Sequence, residues 1–412
     1  MTPVTSHASS ALFGSRRRLL GALAAGALAL AFAGPAAAEA GKPIRIGSTL
    51  ALTGPLASTA IVHKIVGEMY VEELNKRGGL LGRPVEWVLL DDQSKPDLTR
   101  TLYEKLITDD KVDLVIGPYA TGGILSAMAV AERHGKMLIH HTFGIPGLAK
   151  YDMQFGTWAL GPVPEQTVPA ALLDALAGTG HMPKTIAVVT SKFPSVHFLA
   201  LGMRDVAKKR GLNEVLYLEY EFGSRDFGPV AARIKDANPD LLWVGAVGLE
   251  GNQVLDALKK IDYTPKNHFY AYPAPGPLAL SPEGKNAIST TMFEAQPPMT
   301  DNPIAGAFAK EYEARAKKAG LPYTAADVQA AVSFTAWQVL EAAVTNAKTL
   351  DDKVLAQWLK THGVDSIIGK LRFDGPHNYG DDLTKIKQVQ NGKWTIVWPK
   401  QYAMPGAQLT AQ

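Results

Sequence analysis

Two adjacent histidines, His140 and His141, are candidates for metal binding or proton transfer, because imidazole is a common metal ligand and titrates near neutral pH. They follow a predicted strand at residues 137–139. Neighbouring side chains on a strand point to opposite faces, so these two rings are poorly placed to share one metal ion. We therefore predict no metal site. One histidine is expected in a packed or surface position, and the other is a candidate for a pocket.

The motifs of several enzyme classes are missing from the sequence. It contains no G-x-x-x-x-G-K-[ST] phosphate-binding loop, no G-x-S-x-G nucleophile elbow and no H-E-x-x-H zinc helix. It also contains no cysteine, which excludes disulfides, thiolate metal sites and a cysteine nucleophile. These absences leave no enzyme hypothesis with a named nucleophile. We predict a protein that is not an enzyme and that needs no cofactor.

The first 38 residues have the pattern of a cleaved export signal. Arg16, Arg17 and Arg18 precede an apolar run at residues 19–32, and Ala36-Ala37-Ala38 supplies a small-x-small cleavage site. The apolar run is shorter than the roughly 20 residues that a membrane-spanning helix needs. The basic start suits both the general secretory route and the twin-arginine route. We predict a signal peptide at residues 1–38 and a periplasmic location.

Cleavage would leave a chain with almost no net charge. The whole chain has 42 basic and 39 acidic residues, and the three arginines are the only charged side chains of the leader. The mature chain therefore has 39 of each sign. A balanced charge of this kind offers no electrostatic footprint for nucleic acid, so we predict no nucleic-acid partner.

Short β-rich runs alternate with longer helical patterns from residue 43 onward, in two successive units. The first unit has predicted strands at 44–47, 85–90, 112–116 and 137–139, with helices at 61–77, 98–108 and 124–133. The second has predicted strands at 185–189, 214–220, 241–245 and 269–272, with helices at 196–209, 229–236 and 253–261. This alternation is typical of parallel sheets covered by helices. It predicts an α/β protein with two doubly wound lobes.

Two long helices and a short β-rich tail complete the prediction. The helices are expected at residues 303–319 and 325–344, the second with Thr324 as its N-cap. Three tail strands are expected at 371–373, 386–390 and 394–397. In such proteins the carboxyl ends of the strands and the amino ends of the following helices line a crevice. A small ligand could bind there, and hinge motion could close the lobes on it.

Four segments spread along the chain resemble those of one known family. They are IGSTLALTGPLA at 46–57, LNKRGGLLGRPV at 74–85 with LDD at 90–92, DLVIGPYATG at 113–122, and RFDG at 372–375 with an NGK turn at 391–393. Their order and spacing are similar to those of the periplasmic solute-binding proteins for branched-chain amino acids, the leucine/isoleucine/valine type. Each segment alone is moderately specific, whereas the whole set makes the match strong.

The resemblance implies the type I periplasmic binding protein fold, in which three hinge crossings join two lobes. Lobe I would hold residues 43–160 and 292–370, and lobe II residues 161–291 and 371–412. Members of the family bind amino acids or related small solutes and deliver them to an ABC permease in the inner membrane. The implied partners are thus a small ligand and a permease, and we expect a monomer.

The resemblance also implies a ligand-binding role for Thr121. In the family, a serine or threonine shortly after the glycine of the third strand binds the ligand carboxylate, and Thr121 is the matching residue. Thr121 lies between a predicted strand and the helix expected at Ile124. Its hydroxyl, the free N–H groups of the helix start and the helix dipole would all favour an anion. The alternative is a plain N-cap threonine.

Further family positions match residues after the fourth strand. Thr142 and Gly144 stand where the family places ligand contacts, and the family usually has a hydroxyl in place of Gly144. His141 and Phe143 are their neighbours and would make the pocket more aromatic. Because of these two departures, a simple leucine-type ligand is in doubt.

The second lobe contributes two implied positions. Phe227 resembles a family aromatic near the ligand, and Glu250 falls close to the glutamate that pairs with the ligand ammonium in amino-acid binders. The alternative for Glu250 is a surface position at the start of the following helix, where an acid suits the dipole. Tyr119, Tyr272 and Phe293 could line the pocket or belong to the core.

Several alternatives remain open from the sequence. The leading ligand class is an amino acid, and an aromatic or other organic acid is its rival within the same fold. The orientation of Glu250 should discriminate these two classes. A sensory receptor that presents its closed form to a membrane kinase, or a secreted enzyme on the same fold, is also compatible with the pattern, because fold does not determine function.

Overall fold

Five parallel strands build the first sheet of the computed structural model, which describes residues 41–274 and 276–412. The strands are β1 (Ile44–Leu50), β2 (Val85–Asp91), β3 (Leu114–Ile116), β4 (Leu138–His140) and β5 (Gln154–Gly156), in the order β2-β1-β3-β4-β5. The described residues of β1, β3, β4 and β5 are almost entirely buried, as expected for a parallel sheet covered on both faces. The predicted leader lies outside the described residues.

The second sheet has seven strands in the order β14-β13-β10-β9-β8-β6-β7. They are β6 (Thr185–Ser191), β7 (Asn213–Tyr220), β8 (Leu241–Gly248), β9 (Asn267–Pro273), β10 (Ile288–Thr291), β13 (Lys385–Gln390) and β14 (Lys393–Trp398). Strands β6 to β10 pair in parallel, and β13 and β14 add to this sheet in antiparallel. A short antiparallel pair, β11 (Val364–Ser366) with β12 (Gly369–Leu371), stands apart from both sheets.

Eleven α-helices connect these strands within the described residues. They are α1 (Ala57–Lys76), α2 (Pro96–Thr108), α3 (Thr121–His134), α4 (Pro164–Ala177), α5 (Pro194–Lys209), α6 (Gly228–Ala237), α7 (Glu250–Lys260), α8 (Pro277–Leu280), α9 (Pro303–Lys318), α10 (Val328–Ala347) and α11 (Asp352–Thr361). Helix α10 is buried along most of its length, which explains its nearly continuous apolar sequence. None of the described helices is long and apolar enough to span a membrane.

Three segments carry the chain between the two sheets: residues 157–163, 292–302 and 372–384. The first and third are held together by backbone hydrogen bonds from Leu383 N–H to Ala159 O (2.8 Å) and from Gly161 N–H to Asp381 O (3.1 Å). The second is joined to the segment before α10, where Ala295 N–H donates to Ala326 O (3.1 Å). The two-lobed α/β fold is thus present. The residues predicted as lobe boundaries remain a prediction.

Some predicted element boundaries are wrong. Helix α10 begins at Val328 and not at residue 325, because the carboxylate of Asp327 accepts hydrogen bonds from Gln329 N–H (3.0 Å) and Ala330 N–H (3.3 Å). Asp327 is therefore the N-cap in place of Thr324. Helix α1 begins one turn earlier than predicted, at Ala57. The strand predicted at 371–373 is shifted, since β12 covers Gly369–Leu371.

Candidate functional site

A cleft lies between residues that follow strands of the two sheets. From the side of the first sheet it is lined by Tyr119, Ala120, Thr121, Thr142, Gly144 and Gln329. From the side of the second sheet it is lined by Phe193, Ser195, Val247 and Tyr272, and Trp158 contributes from the first crossing. None of these lining residues carries a charge. The cleft thus combines aromatic walls with a few hydroxyl and amide groups, the composition typical of small-molecule sites.

The amino end of α3 opens on this cleft. Thr121 is its first residue and is 1% exposed, and Ala120 before it has a left-handed φ of 72°. The N–H of Ala120 donates to the hydroxyl of Thr142 (3.0 Å), a predicted site residue, which joins Thr142 to the start of this helix. No side chain caps this helix. The first N–H groups of a helix have no intrahelical partner, so this end favours an anion.

A second helix start faces the cleft from the other lobe. Helix α5 begins at Pro194 directly after β6, and no side chain caps it. Ser195 in its first turn is 4% exposed and lines the cleft beside Phe193. Ser195 was not predicted from the sequence, although the physical argument that supported Thr121, a hydroxyl at a helix start after a strand, applies to Ser195 as well.

Three polar atoms on the cleft walls are buried without a hydrogen-bond partner of normal geometry among the described residues. They are the Tyr272 hydroxyl, Trp158 Nε1 and Gln329 Oε1. The Trp158 and Tyr272 rings meet edge to face, with centroids 5.5 Å apart. Burial raises the pKa of Tyr272, so its hydroxyl stays protonated and can donate. Buried polar groups are rarely left unpaired, and a bound ligand would supply the missing partners.

Glu250 occupies neither of its two expected positions. It is the first residue of α7 and is 5% exposed, but it does not line the cleft. Its carboxylate accepts hydrogen bonds from the N–H groups of Gly223 (3.0 Å) and Val247 (3.4 Å). Burial raises the pKa of this carboxyl. Glu250 therefore joins the loop after β7 to the end of β8 and is not directed to solvent.

His141 lies behind the cleft wall. Its ring stacks on that of His63, with centroids 4.3 Å apart and planes 16° apart, and His63 in turn lies 4.9 Å from Tyr119. Burial lowers the pKa of His141 and lowers that of His63 to about 3, so both rings are neutral. His140 is also buried, and its Nε2 is 2.7 Å from Gln154 Oε1. The described residues contain no cluster of three or more side chains suited to a metal ion.

The predicted aromatic residues divide between wall and core. Tyr119 and Tyr272 line the cleft, and burial raises the pKa of Tyr119 to about 12. Phe143 packs in the core below α3, and Phe227 packs edge to face on Tyr220 with centroids 5.1 Å apart. Phe293 is also part of a core cluster. The structure thus brings together Tyr119, Thr121, Thr142, Gly144 and Tyr272, and it places His141, Phe143, Phe227, Glu250 and Phe293 outside the cleft lining.

Gln329 and Trp158 could not have been found by a local rule. Gln329 lies in the first turn of α10, far along the chain from the other lining residues, and Trp158 lies in the first crossing. The Thr157 hydroxyl donates to Val332 O (2.9 Å) and so fixes this crossing against α10. Only the hinge topology places these two residues on one cleft.

A buried ion pair lies near the same hinge. Lys387 Nζ on β13 is 2.7 Å from Glu294 Oε1 in the second crossing, and each side chain is 3% exposed. The Thr291 hydroxyl donates to the same carboxylate (3.0 Å). Burial raises the pKa of Glu294 to about 7, although Lys387 opposes this shift. The pair connects the second sheet to the crossing that leads to α9 and α10.

Residues 43–393 match the family model described as periplasmic binding protein. The chain belongs to this family. The Leu/Ile/Val-binding protein of Escherichia coli (strain K12) is 26% identical over 362 residues, covering 86% of this chain and 92% of that protein. The leucine-specific-binding protein of Salmonella typhimurium is 24% identical, covering 85% and 91%.

Solved structures show the same fold. The solute-binding protein of an ABC transporter from R. palustris, in complex with benzoate, matches with a TM-score of 0.73 and 20% identity, covering 90% of this chain and 98% of that one. LivJ from Streptococcus pneumoniae, in complex with isoleucine, matches with a TM-score of 0.70 and 19% identity, covering 87% and 100%. The type I periplasmic binding protein fold expected from the sequence is confirmed.

Proposed function

We propose that this protein is the exported solute-binding component of an ABC importer. It binds an amino acid or a similar small carboxylate in the cleft, closes on it, and delivers it to a permease in the inner membrane. The observation that carries the proposal is the uncapped start of α3, with Thr121, on the wall of a cleft without charged lining residues. The relatives in the family are binding proteins, and the proposal includes no catalytic step.

The ligand carboxylate is assigned to the α3 end of the cleft. The Thr121 hydroxyl and the first N–H groups of the helix can donate to its oxygens, and the helix dipole adds a favourable field. Hydrogen bonds to a charged group contribute more than those between neutral groups. An anion could therefore bind here without an arginine or a lysine in the lining.

Within this ligand class, two features of the cleft lining suit a carboxylate that lacks an ammonium group. A buried ammonium is most strongly stabilised by a carboxylate, and none of the lining residues is acidic; Gln329 Oε1 is the only side-chain carbonyl oxygen among the lining residues. Glu250, the residue expected to pair with it, is engaged by the N–H groups of Gly223 and Val247. Four aromatic side chains line the cleft instead, namely Tyr119, Trp158, Phe193 and Tyr272. An aromatic or other organic acid is thus the second candidate ligand.

A ligand screen on the mature chain, residues 39–412, tests the proposal. The protein is refolded without carried-over ligand and tested by thermal shift and calorimetry against benzoate, phenylacetate, succinate, leucine, isoleucine and valine. A ligand at about 100 times its Kd stabilises the protein by about 2.7 kcal/mol. Binding of benzoate or phenylacetate without binding of the amino acids supports the organic-acid candidate, whereas the reverse supports an amino-acid ligand. Binding of none of the six contradicts the proposed ligand class.

Delivery and location need separate tests. Deleting the gene should abolish uptake of the radiolabelled ligand by cells, and the complete chain should restore it. The purified periplasmic protein should begin at Glu39 by N-terminal sequencing. Uptake that persists without the protein, together with loss of a transcriptional response to the ligand, would favour the sensory role over transport.

A further inference from the structure

At Gly144 the two lobes approach each other across the cleft. A Cβ atom added at this residue would lie 3.2 Å from the Tyr272 hydroxyl oxygen and 3.4 Å from Ser195 Cβ. Gly144 follows β4 of the first sheet, whereas Tyr272 ends β9 and Ser195 begins α5 of the second. The phenol oxygen therefore lies next to the space into which a side chain at residue 144 would project.

The Tyr272 hydroxyl has no acceptor for its hydrogen among the described residues, because its neighbour Trp158 offers only an N–H donor. It is buried and has no hydrogen-bond partner of normal geometry among the described residues. Its ring position is set by the edge-to-face contact with Trp158 and by the pairing of Tyr272 with Val247 on β8. A hydroxyl held in this way, on the wall of the cleft, is a donor without an internal acceptor.

The position of the Tyr272 hydroxyl gives a reason for the glycine at residue 144. The resemblance to the family leads us to expect a hydroxyl side chain at residue 144, and this chain has none there. A hydroxyl is nevertheless present at nearly the same point in space, because Tyr272 supplies it from the opposite lobe. A serine at residue 144 would press on this phenol, which would have to shift slightly, since the serine Cβ would be in tight contact with the phenol oxygen.

We propose that Tyr272 is a specificity-determining residue, whose hydroxyl donates to a ligand oxygen in place of the hydroxyl missing at Gly144. This inference rests on the proposed function. Thr121 and Thr142 belong to the first lobe and Tyr272 to the second, so the set of ligand hydrogen bonds is complete only when the lobes are closed. Ligand recognition and lobe closure are then coupled through one phenol group.

A double-mutant cycle tests this replacement, with benzoate and leucine as probes. Tyr272→Phe removes only the hydroxyl and should raise the Kd of the bound probe roughly tenfold to 100-fold. Gly144→Ser should also weaken it, because its side chain meets the phenol. In the double variant the serine has space and supplies a hydroxyl, so the Kd should return to within about fivefold of the wild-type value. Non-additivity of this kind identifies two groups that serve one contact.

Tyr270→Phe is the matched control, because this variant removes another buried hydroxyl from β9. Tyr270 lies outside the cleft lining and its hydroxyl contacts His268 Nδ1 (3.0 Å). The Kd of the Tyr270→Phe variant for the probe should equal that of the wild type. Thermal unfolding without ligand shows whether each variant is folded. An unchanged Kd for Tyr272→Phe, or additive effects in the cycle, would overturn the inference alone. If the wild type binds none of the six compounds of the ligand screen, the ligand class and this inference both fail.

Discussion

At the scale of single residues, the cleft presents hydroxyl and amide groups where a stronger electrostatic partner could have been expected. Thr121, Ser195 and Tyr272 supply hydroxyls, and no lining residue is charged. Burial makes such groups effective, because water does not compete for their hydrogen bonds. Binding should therefore depend on individual hydroxyls.

Replacing Thr121 by alanine should weaken ligand binding by about 1–3 kcal/mol, because the hydroxyl would no longer donate to the buried carboxylate. Calorimetry with the best ligand of the screen measures this change. Thr121→Ser keeps the hydroxyl and is the control, with an affinity close to that of the wild type. An alanine variant that binds as tightly as the wild type would remove Thr121 from the site.

Replacing Glu250 by glutamine should affect amino acids and plain organic acids equally. The carboxylate joins the loop of Gly223 to Val247 at the end of β8, so its loss acts through the shape of the second lobe. We expect a loss of stability of about 1 kcal/mol, since the amide oxygen can still accept one of the two hydrogen bonds. Denaturant unfolding and parallel binding curves for leucine and benzoate measure both effects. A much larger loss for leucine would instead show that Glu250 pairs with an ammonium.

At the scale of elements, the start of α10 connects the cleft to the hinge. Asp327 caps the helix, Gln329 in its first turn lines the cleft, and Val332 accepts a hydrogen bond from the first crossing. The position of this helix start therefore determines where Gln329 lies. Replacement of Asp327, the capping residue of α10, should therefore affect stability and binding more than replacement of the residues beside it.

Replacing Asp327 by alanine should cost about 1–2 kcal/mol of unfolding free energy, because two N–H groups of α10 lose their acceptor. Asp327→Asn retains an oxygen acceptor and should cost less. Thr324→Ala is the control at the residue first predicted as the cap, and it should change stability by less than about 0.5 kcal/mol. Denaturant unfolding compares the three variants. Equal losses for Thr324→Ala and Asp327→Ala would contradict the observed cap.

At the scale of the whole molecule, three crossings and a buried ion pair join the two lobes. Lys387 belongs to the second sheet and Glu294 to a crossing, and Asp327 at the start of α10 further raises the pKa of Glu294. Two acids and one lysine thus share a site that excludes water. Such a group makes stability depend on pH, because burial favours the protonated carboxyl.

The contribution of Glu294 to stability should decrease as the pH rises. The pKa of Glu294 is about 7 in the folded chain, against an ordinary value of 4.5. Between pH 4.5 and pH 7, the folded state therefore keeps a proton that the unfolded state has released. The contribution is complete below pH 4.5 and is lost as the pH passes about 7, at up to about 1.4 kcal/mol per pH unit. Glu294→Gln should remove this slope, in addition to lowering stability by breaking a buried pair.

Unfolding free energies measured from pH 5 to pH 8 test this slope. The difference in unfolding free energy between the wild type and Glu294→Gln isolates the titration of this carboxyl, because the buried histidines are common to both chains. Glu283→Gln is the control, since its carboxyl has a pKa lowered to about 2 by Lys259 and does not titrate in this range. Parallel curves for the wild type and Glu294→Gln would show that Glu294 stays ionised.

The sequence by itself determined the layer architecture of this protein. The βαβ alternation, the glycine turns and the apolar strands predicted two parallel α/β lobes, because these signals arise from local periodicity. The family resemblance selected Thr121 and Thr142, and for Thr121 the position after a strand and before a helix start gave a physical reason, because such positions line the crevice of this kind of fold. Thr121 and Thr142 do line the cleft.

Only the tertiary structure decided which side chains meet across the cleft. Gln329 and Trp158 enter it through the hinge, whereas Glu250 lies outside it, where its carboxylate accepts from two backbone N–H groups. The contact of Gly144 with Tyr272 joins residues that lie 128 positions apart on different lobes. Such pairings depend on the docking of one lobe against the other, and no period or motif within a single segment encodes that docking.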